Sequence, residues 1–355
     1  MDQQVSPMND IYPAAIVPAD QKASSQWFKT LLGYLFAGAG LLWVLHDINL
    51  AQLPGYLARI NWRWVALAIV CDVAGYVCQG VRWQLLLQPL GRKFSWLRAT
   101  QAVYAGLFIN EILPLRVGEL VRAWLVARWL SVSPASIIPS MVAERLLDAV
   151  CLLAGIGLLA VFMSLPQDLV LASHWIGVSV LVSASCLIVF FIVCRRITRS
   201  EGIRGRLDQW EPGSALLSLI ESLTEGLREI GLSRAFYFSL LISLLFLVLQ
   251  GLAFWLVMLA YELPFSWQIG LAVFLIVHVG TIIPNAPANI GSYQFFCVVG
   301  LMLFGVDKTL ATGFSLVVFI LLTVPLLVIG LLALGQSGKT LQFIQQEVSC
   351  IAVLK

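Results

Sequence analysis

Charge is what this sequence has least of. Only 12% of its 355 residues are Asp, Glu, Lys or Arg, 60% are hydrophobic, and the mean hydropathy is +0.90. Soluble domains carry about 25% charged residues, so the scarcity excludes an ordinary soluble chain and indicates a polytopic membrane protein. The net charge of +3 is too small to argue for a nucleic-acid partner. What positive excess exists is gathered in a few loops, the pattern of cytoplasmic segments in membrane proteins.

Metal and redox signals are equally thin. The seven cysteines, at 71, 78, 151, 186, 194, 297 and 350, form no C-x-x-C pair and mostly lie in apolar runs, where a thiol serves as a small apolar side chain. His46, His174 and His278 are far apart in sequence and suggest no ligand set, so neither metal nor cofactor is expected. The first 26 residues, with Pro7, Pro13 and Pro18, lack the basic start, apolar core and small-residue cut site of a leader. They read as a disordered cytoplasmic tail.

Long apolar runs fill the remainder. Residues 27–45 and 64–87 are the first two spans, separated by an interfacial amphipathic segment at 46–63 with Leu50, Leu53, Leu57 and Ile60 at helical spacing and Trp62 and Trp64 at its end. The second span carries Asp72 and Arg82. After a basic loop at 88–98, residues 99–130 form an apolar run broken by Pro114 and Gly118. Its arms, 99–113 and 117–130, are short of the ~20 residues that cross a bilayer, so they read as a re-entrant pair of half-helices. Broken backbone at membrane depth requires cover from protein or water.

Spans follow at 136–165 and 172–194, then a loop crowded by Arg195, Arg196, Arg199, Arg204 and Arg206 that includes a surface amphipathic helix at 214–231. A span at 235–260, a second broken run at 267–304 and a last span at 308–334 precede the tail 335–355. The expected fold is therefore all-α integral membrane, with six spanning helices and two oppositely oriented re-entrant hairpins. Both termini would be cytoplasmic. A single membrane domain, 27–334, would have halves at 27–194 and 235–334 joined by the linker 195–234. Paired broken segments of opposite orientation point to a translocation site and admit inverted pseudo-symmetry, although no internal repeat in the sequence marks it.

Polar residues inside these runs are the candidate site. Arg116, Glu119 and Arg122 recur every three residues and are read as one helix face. Facing lipid singly they would cost about 7–10 kcal/mol. Either they lock the broken helix as a buried ion network, or an arginine offers its fork to a lipid phosphate. Glu144 and Asp148, one turn apart with Arg145 three before Asp148, are read as neutralising Arg116 or Arg122 across a helix interface. As a catalytic pair, Glu144 and Asp148 lack a neighbouring nucleophile or metal ligands. In the second break, Asn285 and Asn289, followed by Tyr293 and Gln294, either interrupt two packed arms or line a head-group path.

The stretch from Asn110 to Arg122 with Pro114, Gly118 and Glu119, followed by Glu144, Arg145 and Asp148, resembles the membrane region of lysylphosphatidylglycerol synthases, a flippase-like family. The likeness covers residues 27–334. The second break diverges: the usual Pro-Gly-Gly-x-Gly reads Pro-Ala-Asn-Ile-Gly from Pro287 to Gly291, Gln294 stands near a usual glutamate, and Phe319 near a usual arginine.

The resemblance implies a bacterial inner-membrane lipid translocase for an anionic phospholipid or lipid-linked envelope intermediate. Asn110, Arg116, Glu119, Arg122, Glu144, Arg145, Asp148, Asn285, Asn289, Tyr293 and Gln294 would bind the substrate, with a lipid-biosynthesis enzyme as a possible partner. A non-transporting lipid-binding accessory of envelope or glycolipid biosynthesis is the alternative. Residues 335–355 and 195–234 are too short for the soluble synthase domain, so a stand-alone form without enzymatic activity is expected.

Overall fold

The structure is a computed structural model, and it describes residues 34–46, 53–90, 94–113, 116–162, 234–282 and 286–336. Helix α1, Tyr34–Leu45, is followed by the short α2, Leu53–Ala58. Helix α3, Trp62–Leu86, begins where the Asn61 side chain accepts from the Arg63 amide at 3.1 Å, closing one of the free donors of the first turn. Trp62 and Trp64 thus open the long helix and are exposed on it, rather than ending the interfacial segment.

Helix α4, Trp96–Ile112, starts on a Ser95 cap, and α5, Gly118–Leu130, ends where Ser131 turns left-handed at φ 52°. Helix α6, Ile138–Phe162, follows a 3-10 turn at Pro134–Ser136. Helix α7 is Arg234–Ala260, α8 is Trp267–Gly280, α9 is Ser292–Leu303 and α10 is Lys308–Gln336. All regular structure among the described residues is helical. The predicted span at 172–194 and the amphipathic helix at 214–231 lie outside the described residues, as do both tails.

Three described helices are long and apolar enough to cross a membrane: α3, α7 and α10. Helix α6 matches α3 in length at 25 residues but carries three charges in its first half. The two broken runs each fold as a pair of short helices. At 17 and 13 residues, α4 and α5 are about 25 and 20 Å long, less than the ~30 Å of a hydrocarbon core.

Helices α4 and α5 run back along each other because glycines meet at their crossing. A Cβ on Gly106 would stand 2.8 Å from the Gly118 carbonyl oxygen, and one on Gly118 would stand 2.6 Å from Asn110 Oδ1 and deeper still into the Gly106 carbonyl. In the second pair, Gly280 packs against Phe296 and Gly300 against Val273 and Ile276, so α8 and α9 are antiparallel as well.

Around these pairs the long helices make the frame. Helix α3 packs most extensively on α7, and α10 packs on α4, where the Gln101 amide donates to the Ala333 carbonyl at 2.9 Å. The larger apolar core joins α3, α7, α8, α9 and α10 around Phe254, Met258, Leu301 and Phe314. A second core, with Trp83, Val103, Val126 and Ile137, sits under the first hairpin. Helix α1 packs on the start of α9: Gly291, at φ 90°, lies against the Ala37 carbonyl, and Phe36 and Trp43 pack edge-to-face against Phe295.

Candidate functional site

Six charged side chains from three helices meet in a closed ring. Arg82 of α3 donates from Nη2 to Glu144 at 2.8 Å and from Nη1 to Asp148 at 2.5 Å. Glu144 also accepts from Arg122 of α5 at 2.8 Å, and Arg122 donates to Glu119 at 2.7 Å. Glu119 accepts from Arg145, and Arg145 returns to Asp148 at 3.3 Å. Every charge therefore has two neighbours of opposite sign, and three cations balance three anions.

The ring is graded in burial. Arg82 and Glu144 are completely buried and Arg122 nearly so, whereas Arg145 is half exposed. Uncharged groups complete the deep end. Gln79 Nε2 donates to Glu144 at 3.3 Å and Ser243 Oγ accepts from Arg82 at 3.0 Å. The Arg122 guanidinium lies 4.4 Å from the Trp83 ring centroid, and the Trp83 indole donates to Ser140 at 3.0 Å. Pairing of this completeness is what lets ions leave water, since a single unpaired buried charge would cost several kcal/mol.

Arg116 stands apart from the ring. It was read as the first member of a helix face with Glu119 and Arg122, but α5 begins only at Gly118 and Arg116 has left-handed backbone, φ 55°. The helical count therefore does not run through it. Among the described residues it forms no ion pair, and its Nη2 donates to the Thr281 carbonyl at 2.8 Å. Thr281 is the C-terminal cap of α8. This bond ties the first break to the end of α8 beside the second. Glu119, Arg145 and Glu111 are within electrostatic reach of the same guanidinium, and His278 faces Arg116, Arg145 and Asp148.

The remaining candidates are placed as follows. Asn110 Oδ1 accepts from the Gly118 amide at 2.8 Å and so closes the hairpin on itself. Gln294 is buried and accepts from the Gly291 amide at 2.7 Å, capping the first turn of α9. Tyr293 packs on Phe319 of α10, ring centroids 5.3 Å apart. Asn289 has left-handed backbone at φ 52° in the 3-10 turn Pro287–Asn289, half-buried. Asn285 lies outside the described residues.

Arg82, Gln79 and Ser243 are members the sequence reading did not place in the site. An arginine inside an apolar span was the available signal for Arg82. Nothing in the sequence told that its partners were 62 and 66 residues further on. Glu144 and Asp148 do neutralise arginines across a helix interface, the expected Arg122 and also Arg82 but not Arg116, while Arg145 pairs with Asp148 within α6.

The sequence is similar to those of known membrane proteins. A UPF0104 membrane protein of Methanothermobacter thermautotrophicus is 24% identical over 270 residues, covering 72% of this chain and 78% of that protein. A UPF0104 membrane protein of Methanocaldococcus jannaschii is 26% identical over 129 residues, 36% of this chain and 37% of that protein. The family model for the lysylphosphatidylglycerol synthase TM region matches residues 30–330, which takes in both hairpins and every charge of the ring. The chain is a membrane protein and belongs to that family.

Proposed function

We propose that the protein moves an anionic lipid, a phospholipid or lipid-linked envelope intermediate, between the leaflets of the cell's inner membrane without changing it covalently. In this reading six helices cross and the two hairpins enter from opposite faces. Both ends of the chain and residues 195–234 are cytoplasmic. The observation that carries it is Arg116: a cation outside a charge-neutral ring, at the point where the first break is tied to the end of α8. A planar guanidinium suits a phosphate's paired oxygens. Arg145, also paired on both sides but half exposed, would be the second contact, while Arg122 is nearly buried between Glu119 and Glu144 and holds the helices together.

The test is exchange of a labelled anionic phospholipid between leaflets in proteoliposomes. Arg116→Ala should abolish exchange in a protein that still elutes as a single species, and Arg116→Lys should retain part of it. Wild-type exchange by folded Arg116→Ala would sink the proposal.

A second reading, a lipid-binding accessory that transports nothing, is favoured by one observation. Gln294, in the first turn after the second break, is committed to the Gly291 amide. That reading predicts co-purified lipid, lost in Arg116→Ala, with no leaflet exchange by the wild type.

A further inference from the structure

Asp72 belongs to neither the ring nor the breaks. It is the eleventh of the 25 residues of α3, about 15 Å from the start and so near the middle of a helix long enough to cross the membrane. The residue is 1% exposed, and its Oδ2 has no hydrogen-bond partner among the described residues. Gln250 of α7 donates at 3.3 Å to its main-chain oxygen and also reaches its carboxyl group.

The other titratable groups facing it are phenols and a thiol: Tyr76 and Cys71 on α3, Tyr104 from α4 and Tyr293 from α9. Glu111 at the end of α4 faces Tyr76. Among the described residues no cation pairs with Asp72, and Arg82, farther along α3, is held by Glu144 and Asp148. An ionised carboxylate buried in such a helix is costly unless paired, and proton relays are where membrane proteins keep such groups.

The position is also connected. Asp72, Tyr76, Gln79 and Arg82 follow at steps of four, three and three residues, which is one face of α3. Gln79 touches Glu144 through Nε2 and leaves its buried Oε1 without a partner. Two orphan oxygens, about 10 Å apart along the helix, thus mark a polar line from Asp72 to the deep end of the ring.

We propose that Asp72 is a proton-exchange site, joined along this face of α3 to the deep end of the ring, and that its uptake and release of a proton accompany lipid movement. The coupling to lipid movement rests on the translocase reading above. The proton exchange itself does not.

Infrared difference spectra of the full-length protein in lipid nanodiscs, recorded across pH, test the site. A carboxylic-acid carbonyl band that falls as pH rises should be present in the wild type, absent in Asp72→Asn and displaced in Asp72→Glu. Proteoliposomes test the coupling: an imposed pH gradient should speed wild-type exchange of an anionic phospholipid several-fold and leave Asp72→Asn unaffected. Superposable wild-type and Asp72→Asn spectra, a band that does not titrate, wild-type exchange that ignores the gradient, or a sodium gradient that reproduces the effect would each overturn the proposal. Wild-type protein that exchanges no lipid under any condition would refute the translocase reading instead, and the infrared titration would then decide the site alone.

Discussion

Glu144 accepts from Arg82, Arg122 and Gln79 in full burial, so its loss leaves one buried positive charge in excess, with Arg82 held by Asp148 alone and Arg122 by Glu119 alone. Glu144→Gln should cost about 3–5 kcal/mol of stability, the penalty for breaking a buried pair. Arg145→Gln, at the half-exposed edge of the same ring, should cost no more than ~1 kcal/mol. Thermal unfolding of the two variants in one detergent checks the contrast, and equal losses would show that burial does not grade the ring. Arg116 offers a separate test. Its backbone is left-handed, a conformation that costs roughly 1–2 kcal/mol with a side chain and little for glycine. Arg116→Gly should therefore unfold at a higher temperature than Arg116→Ala, though both lack the cation.

At the level of elements, the hairpin depends on the contact between Gly106 and Gly118. A methyl group on Gly118 would collide with the Gly106 carbonyl and with Asn110. Gly118→Ala should thus destabilise by about 1–3 kcal/mol as an overpacking change. Gly157→Ala in α6, where nothing lies within 4 Å, should be neutral or stabilise by up to ~1 kcal/mol through helix propensity. Heat-induced loss of soluble protein separates the two outcomes.

These elements also show how far the sequence could be read. Long apolar runs located α3, α7 and α10 to within a few residues, and Pro114 with Gly118 located the first break. Pairs at i,i+3, Glu119 with Arg122 and Arg145 with Asp148, were legible because helical spacing alone brings them together. The closure through Arg82 was not, since it depends on how α3, α5 and α6 pack. Arg116 was misplaced for a similar reason: spacing assumes continuous helical backbone, and the chain turns left-handed there. Gln294 and Asn110 looked like free polar groups, yet each satisfies a backbone amide that a helix start leaves open.

For the whole molecule, the charge balance of the ring predicts an unusual response to salt. Interactions buried among helices are screened far less than exposed ones. Raising salt from about 0.05 to 0.5 M should therefore leave the unfolding temperature nearly unchanged, while binding of an anionic phospholipid by the wild type should weaken. A large fall in unfolding temperature would place the stabilising charges at the surface instead.

The ring has a further property that follows from its having an even number of alternating signs. Remove the link between Glu119 and Arg145, and Glu119 still holds Arg122 while Arg145 still holds Asp148. A circle cut once becomes a chain in which nobody is left single. Helix α5 can therefore part from α6 along the exposed edge of the ring without abandoning any ion, with Arg122 and Glu144 serving as the hinge pin.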